Sequence, residues 1–130
     1  MDMALWGLVG LAVLVLLHIG VQGLALKQAA GNAWSVGPRD VPAVLAPVHG
    51  RLRRALDNLL ESAPVFLSLA LVAHLAGRVG PPVEAGIAMF LAGRLAFLPA
   101  YASGLPWLRT VCWHVAGIGL VLMLIGVLMP

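Results

Sequence analysis

The hydrophobic positions of this 130-residue chain gather into four long runs instead of the narrow stripes of a soluble helix. The first covers about 4–26 and is interrupted only by His18, Gln22 and glycines before Lys27 marks its polar end. The second covers 48–76, polar in its first half and apolar from Val65 onward apart from Ser68 and His74. That pattern predicts one long helix that leaves the membrane and continues into water or a protein cleft, with Pro64 a candidate kink. The third, 83–103, carries Glu84 near its start and Arg94 well inside. The fourth, 107–129, opens with Trp107 and Trp113, indoles suited to an interface. Each run approaches the roughly 20 apolar residues that a transmembrane helix needs. The expected fold is therefore an all-α, four-helix transmembrane bundle, a single domain over 1–130. Between the first two runs, 28–47 collects Asn32, Gly37, Pro38, Pro42 and Pro47, a set expected to form a loop. Gly77, Arg78, Gly80, Pro81 and Pro82 predict a tight turn, and Pro106 ends a short last connection.

Composition agrees with a chain built for lipid: 62% of residues are hydrophobic and 10% charged, which sets aside an ordinary soluble domain. The first run begins with Asp2 instead of a basic segment, exceeds a signal-peptide core in length and lacks a small-x-small cleavage pattern, so it is read as retained. Net charge of +3 fits the positive-inside bias, and nucleic acid is not an expected partner. Cys112 stands alone, which rules out an internal disulfide and a paired-cysteine zinc site; no metal is expected. Lys27, Arg39, Arg51, Arg53, Arg54 and Arg109 fall on the side of the first and third connections, against Arg78 on the other. The positive-inside rule then turns both termini outward and the polar half of the second run toward the cytoplasm.

Charge in or beside a bilayer costs roughly 2.5–3.5 kcal/mol per residue near a helix centre, so each case calls for a partner or a purpose. Helical geometry puts Arg51, Arg54, Asn58 and Glu61 within one arc of about 80°. Arg53 and Asp57, four apart on a neighbouring face, are spaced to pair with each other. Arg94 and Tyr101, two turns apart, project from one side of the third run, and Arg109 follows at the mouth of the fourth. Guanidiniums bind carboxylates by paired hydrogen bonds and the Glu61 carboxylate can accept an ammonium, so the set suits a small zwitterion with excess negative charge. Two plainer roles stay open: Arg51, Arg53 and Arg54 as anchors on anionic headgroups, and Arg94 as a snorkelling side chain or a structural ion pair with Glu61.

The remaining polar and small residues fit packing. His18, Gln22, His74 and His114 are isolated and lack metal-ligand spacing, which predicts interhelical hydrogen bonds. Gly7, Gly10, Gly93, Gly117 and Gly119 suit close helix contact, Cys112 suits packing, and Glu84 suits a headgroup layer. A four-span proton-coupled exporter is disfavoured, because the only acid near the first run is Asp2 at its edge.

The string Arg54-Ala55-x-x-Asn58-x-x-Glu61-x-x-Pro64-x-Phe66, then Arg94-x-x-Phe97-x-x-x-Tyr101 and Arg109, resembles the MAPEG family, the membrane-associated proteins of eicosanoid and glutathione metabolism. Val36-Gly37-Pro38-Arg39-Asp40 is similar to the loop of prokaryotic members. The resemblance implies a homotrimer in a membrane, by extension a bacterial inner membrane, with glutathione as co-substrate held between protomers at the cytoplasmic side. It implies a glutathione transferase or peroxidase acting on a lipophilic second substrate. Carried over by position, Lys27, Arg51, Arg54, Asn58, Glu61, Arg94 and Tyr101 would bind glutathione, and Arg109 would stabilise its thiolate. Leu56, Ser62 and Phe97 depart from polar residues found in relatives. These departures keep a second reading in view, a non-catalytic lipid-binding or scaffolding member.

Overall fold

A computed structural model describes residues 1–129 as five helices: α1 Met3–Ala30, α2 Asn32–Val36, α3 Pro47–Leu75, α4 Pro81–Ser103 and α5 Pro106–Leu128. All but the short α2 are long and apolar enough to cross a bilayer. Asp2 starts α1, its Oδ1 accepting the Leu5 N–H at 3.1 Å. The helix runs a turn past Leu26 because nothing between Lys27 and Ala30 breaks it. Gly31, at φ 82°, ends it, and the Gly31 N–H donates to the Lys27 carbonyl at 2.9 Å.

The expected loop is thus partly helical. In α2, Trp34 Nε1 donates to the Val41 carbonyl at 2.7 Å and folds the following segment back. Arg39 occupies a left-handed conformation at φ 59°, held there as its Nη2 donates to the Ser35 carbonyl at 2.7 Å. The guanidinium also lies 5.3 Å from the centre of the Trp34 ring.

Helix α3 begins with Pro47, whose missing N–H is harmless in a first turn. It continues through Pro64 without interruption, and α4 likewise runs through Pro99. Helices α3 and α4 touch every other long helix, whereas α1 and α5 share no contact among the described residues. The main core joins Leu11 and Leu14 of α1, Leu59 and Phe66 of α3, Ile87 and Phe90 of α4, and Met123 of α5. Phe66 and Phe90 stack with ring centres 4.5 Å apart. A second cluster at the arginine-rich end joins Leu52, Ala55, Phe97, Leu98 and Cys112.

The tightest seam is α4 against α5. A Cβ added at Gly86 would lie 2.5 Å from the Gly119 carbonyl oxygen, and one at Gly119 would lie 2.6 Å from the Gly86 oxygen. Such backbone-to-backbone approach is how helices gain dispersion contact where lipid supplies no hydrophobic drive. Gly7, Gly10 and Gly93 sit in similar contacts. Gly117 was expected among them and is not: no atom lies within 4 Å of its Cβ position. It faces a hollow instead, because it stands two residues before Gly119 on α5 and so points away from the seam.

The histidines divide. His74 links elements, its Nδ1 hydrogen-bonding to Asp2 Oδ2 at 2.8 Å and tying the start of α1 to the end of α3. That contact and the Leu5 N–H hold the Asp2 carboxyl below its ordinary value of 3.8. His18 and His114 do not bridge helices through Nδ1. Each donates to the carbonyl four residues back, Leu14 and Thr110, at 2.8 Å. A helix offers those acceptors locally, so the bond needs no neighbour.

Candidate functional site

Helix α3 presents Arg51, Arg54, Asn58 and Glu61 along one face, α4 adds Arg94 and Tyr101, and α5 adds Arg109. Arg53 stays outside this set, paired with Asp57 at 3.0 Å on an exposed face. Arg54 Nε donates to the Tyr101 hydroxyl at 3.2 Å. The Arg109 guanidinium lies over the Tyr101 ring, 5.1 Å from its centre, so one phenol gathers arginines from two helices. Arg94 is buried, 3% exposed, and its Nη1 donates to Asn58 Oδ1 at 2.6 Å.

Arg94 is placed by its own helix. Phe90 and Phe97, four residues before and three after, present their rings 5.5 and 5.6 Å from its guanidinium carbon. The aromatic pair shields the charge and offers its negative ring faces. No ion pair forms between Arg94 and Glu61, one of the plainer roles considered for them. Asn58 takes the guanidinium instead, and Glu61 remains exposed and within electrostatic reach of Arg94.

Three adjoining hollows make one furrow along α3, α4 and α5. The first, about 260 Å³, is lined by Arg51, Arg54, Tyr101 and Arg109 beside the α4–α5 turn. The second, about 380 Å³, shares Tyr101 and Arg109 with it and adds Asn58, Phe97, Thr110 and Trp113. The third, about 210 Å³, shares Asn58 and Trp113 and adds Glu61, Ser62, Arg94, Gly117 and Leu120. The furrow runs from a strongly basic mouth to an apolar far end. A larger hollow of about 600 Å³ lies at the opposite end of the bundle, lined by the α3–α4 turn and the end of α5. Its one cation among the described residues, Arg78, donates to the Val127 carbonyl at 2.6 Å, and no second charged side chain among them lines it.

One anticipated binding residue stands apart, and another is partly committed elsewhere. Lys27 is exposed in the last turn of α1 and lines none of the three hollows. Arg51 lines the first, yet its Nη1 donates to the Ala102 carbonyl at 3.0 Å and so closes the carboxyl end of α4. Its guanidinium lies against Gly104, whose φ of 78° favours glycine. Trp113 and Thr110 line the furrow and were not anticipated. An exposed indole at a membrane interface reads from sequence as an anchor, and only the rotation of α5 turns it inward.

Four membrane-length helices, with a basic furrow near one end, mark an integral, multi-pass membrane protein. The sequence model of the MAPEG family matches residues 3–129, nearly the whole chain, and the protein belongs to that family. The family includes glutathione transferases and peroxidases as well as other members. No curated protein and no solved structure matches the chain.

Proposed function

We propose that the protein is a membrane glutathione transferase-like enzyme that holds glutathione in the furrow and directs its thiolate at apolar electrophiles or hydroperoxides. One observation carries the reading: four guanidiniums from three helices, Arg51, Arg54, Arg94 and Arg109, line a continuous furrow that holds a single carboxylate, Glu61. Glutathione carries two carboxylates and one ammonium, and this charge set is complementary to it. Arg54, with Arg51 beside it at the mouth, pairs a carboxylate. Glu61 accepts the ammonium. Asn58 and Arg94 hold the floor of the furrow. Lys27 joins only if a neighbouring protomer brings it near, as in the homotrimer usual for the family.

A free thiol near pKa 8.5 is mostly protonated at neutral pH, and a close cation in a poorly hydrated site favours the thiolate. Arg109 fits that role because its guanidinium rests on the Tyr101 ring and, among the described residues, donates to no protein acceptor. It acts by charge, since arginine does not give up its proton in proteins. The lipophilic partner approaches from the apolar end, past Trp113 and Leu120. In this reading the basic end faces the cytoplasm of a bacterial inner membrane.

Calorimetry on detergent-purified protein tests the proposal. Glutathione binding that weakens in Arg54→Ala and Glu61→Ala supports it, and ultraviolet absorbance of the thiolate then reports chemistry. Absence of binding, or equal binding by both variants, overturns it. Binding without thiolate identifies a non-catalytic member.

A further inference from the structure

Among the described residues, two buried polar atoms in the membrane-embedded core, His18 Nε2 and Arg94 Nε, have no hydrogen-bond partner. Their needs are complementary. A carbonyl only accepts, so the 2.8 Å contact between His18 Nδ1 and the Leu14 oxygen puts the ring proton on Nδ1. In the neutral ring Nε2 is then a bare acceptor, within a side chain that is fully buried. Arg94 Nε–H is a donor without an acceptor. Leaving either one unmet is costly in a region without bulk water.

The helix register brings the two together. Gly7 packs on Ile87 and Gly10 on Leu91, so α1 and α4 run parallel with nearly constant offset. Continued along the pair, that offset sets Leu14 level with Arg94 and His18 one turn beyond. Side chains on parallel helices lean the same way, toward their N-termini, so the one-turn step between His18 and Arg94 is kept and leaves room for a water between imidazole and guanidinium. The imidazole also lies within electrostatic reach of Arg94. The guanidinium's opposite edge, at Nη1, is the one committed to Asn58 beside the furrow.

We propose that His18 is a positioning residue for Arg94: its Nε2 accepts from Arg94 Nε–H, through one bridging water, and holds the plane of the guanidinium that Asn58 and the furrow use. The water accepts from the arginine and donates to the imidazole, so both orphaned atoms are satisfied at once. The consequence for glutathione rests on the function proposed above; the hydrogen-bond relay does not.

Nitrogen NMR on the detergent-purified full chain with labelled histidine tests the relay directly, His18 being assigned by the signal lost in His18→Gln. The expected spectrum has His18 protonated at Nδ1 and its Nε2 shifted as a hydrogen-bond acceptor, and Arg94→Lys moves that Nε2 signal. A proton on Nε2, or an unshifted free Nε2 in the unmodified protein, overturns the proposal even if Arg94→Lys does not fold. Glutathione binding gives the second arm. Gln at 18 sets an acceptor near the Nε2 position and keeps affinity within about twofold, while His18→Leu loses about tenfold, the worth of one hydrogen bond to a charged group. Equal affinity in the two variants overturns positioning. Leu is apolar and tolerated in a buried span, so a loss confined to affinity, with thermal stability kept, separates positioning from mere packing. A protein that binds no glutathione refutes the function and leaves the nitrogen signals to decide the relay.

Discussion

Replacing Asn58 by Leu, which has the same branching and no acceptor, isolates the contact on which the buried end of the furrow depends. Arg94 is 3% exposed and its Nη1 donates to Asn58 Oδ1 at 2.6 Å, while its Nε has no protein partner. The substitution leaves a buried cation with one fewer acceptor. A hydrogen bond to a charged group is worth about 1.5–3 kcal/mol, and the loss should reach the upper part of that range because water cannot readily replace the amide. Arg94→Met removes the cation and leaves Asn58 half-buried at the furrow, where solvent can meet it, so its cost should be smaller. The double variant removes both members together and should recover most of what Asn58→Leu loses. The expected coupling between the two sites is then about 1.5–3 kcal/mol. Denaturant titration of the four proteins in one detergent, followed by helical circular dichroism, measures it. Single losses that simply add, leaving coupling below about 0.5 kcal/mol, would refute the claim that Asn58 supports Arg94.

Arg109→Gln should abolish the thiolate absorbance of bound glutathione and leave affinity within about tenfold, because one charge–thiolate contact is lost while the carboxylate contacts remain. Gly86→Ala and Gly119→Ala should each destabilise the bundle by several kcal/mol, since the added methyl meets backbone 2.5 to 2.6 Å away, whereas Gly23→Ala, with open space around it, should stay within about 1 kcal/mol. Thermal unfolding in detergent ranks the three. The Asp2 carboxyl, held below 3.8 chiefly by the His74 hydrogen bond, stabilises the α1–α3 junction above its ordinary value, and that contribution fades as pH falls below about 3.8 through the lowered folded value. Asp2→Asn should remove this acid sensitivity, seen as a flatter unfolding midpoint across that window.

Run length and composition are properties of contiguous sequence, so four membrane helices were legible before any coordinates, as was the stripe of Arg51, Arg54, Asn58 and Glu61, which needs only the pitch of one helix. The Arg53–Asp57 pair was legible for the same reason. Contacts between helices were not. Arg94 lies 36 residues from Asn58, and Arg54 lies 47 from Tyr101, so their meeting depends on how α3 and α4 rotate and slide against each other. The fit of α3 on α4 also commits Arg51 to the end of α4, and the rotation of α5 turns Trp113 and Gly117 into the furrow. Those placements follow from the seam at Gly86 and Gly119 and from the Phe66–Phe90 stack, which fix the helix faces that pack. Sequence alone determined that charge would sit on these helices at the edge of the membrane; the tertiary structure decided which charges share a hollow, because a helix specifies its own faces but not the face its neighbour presents.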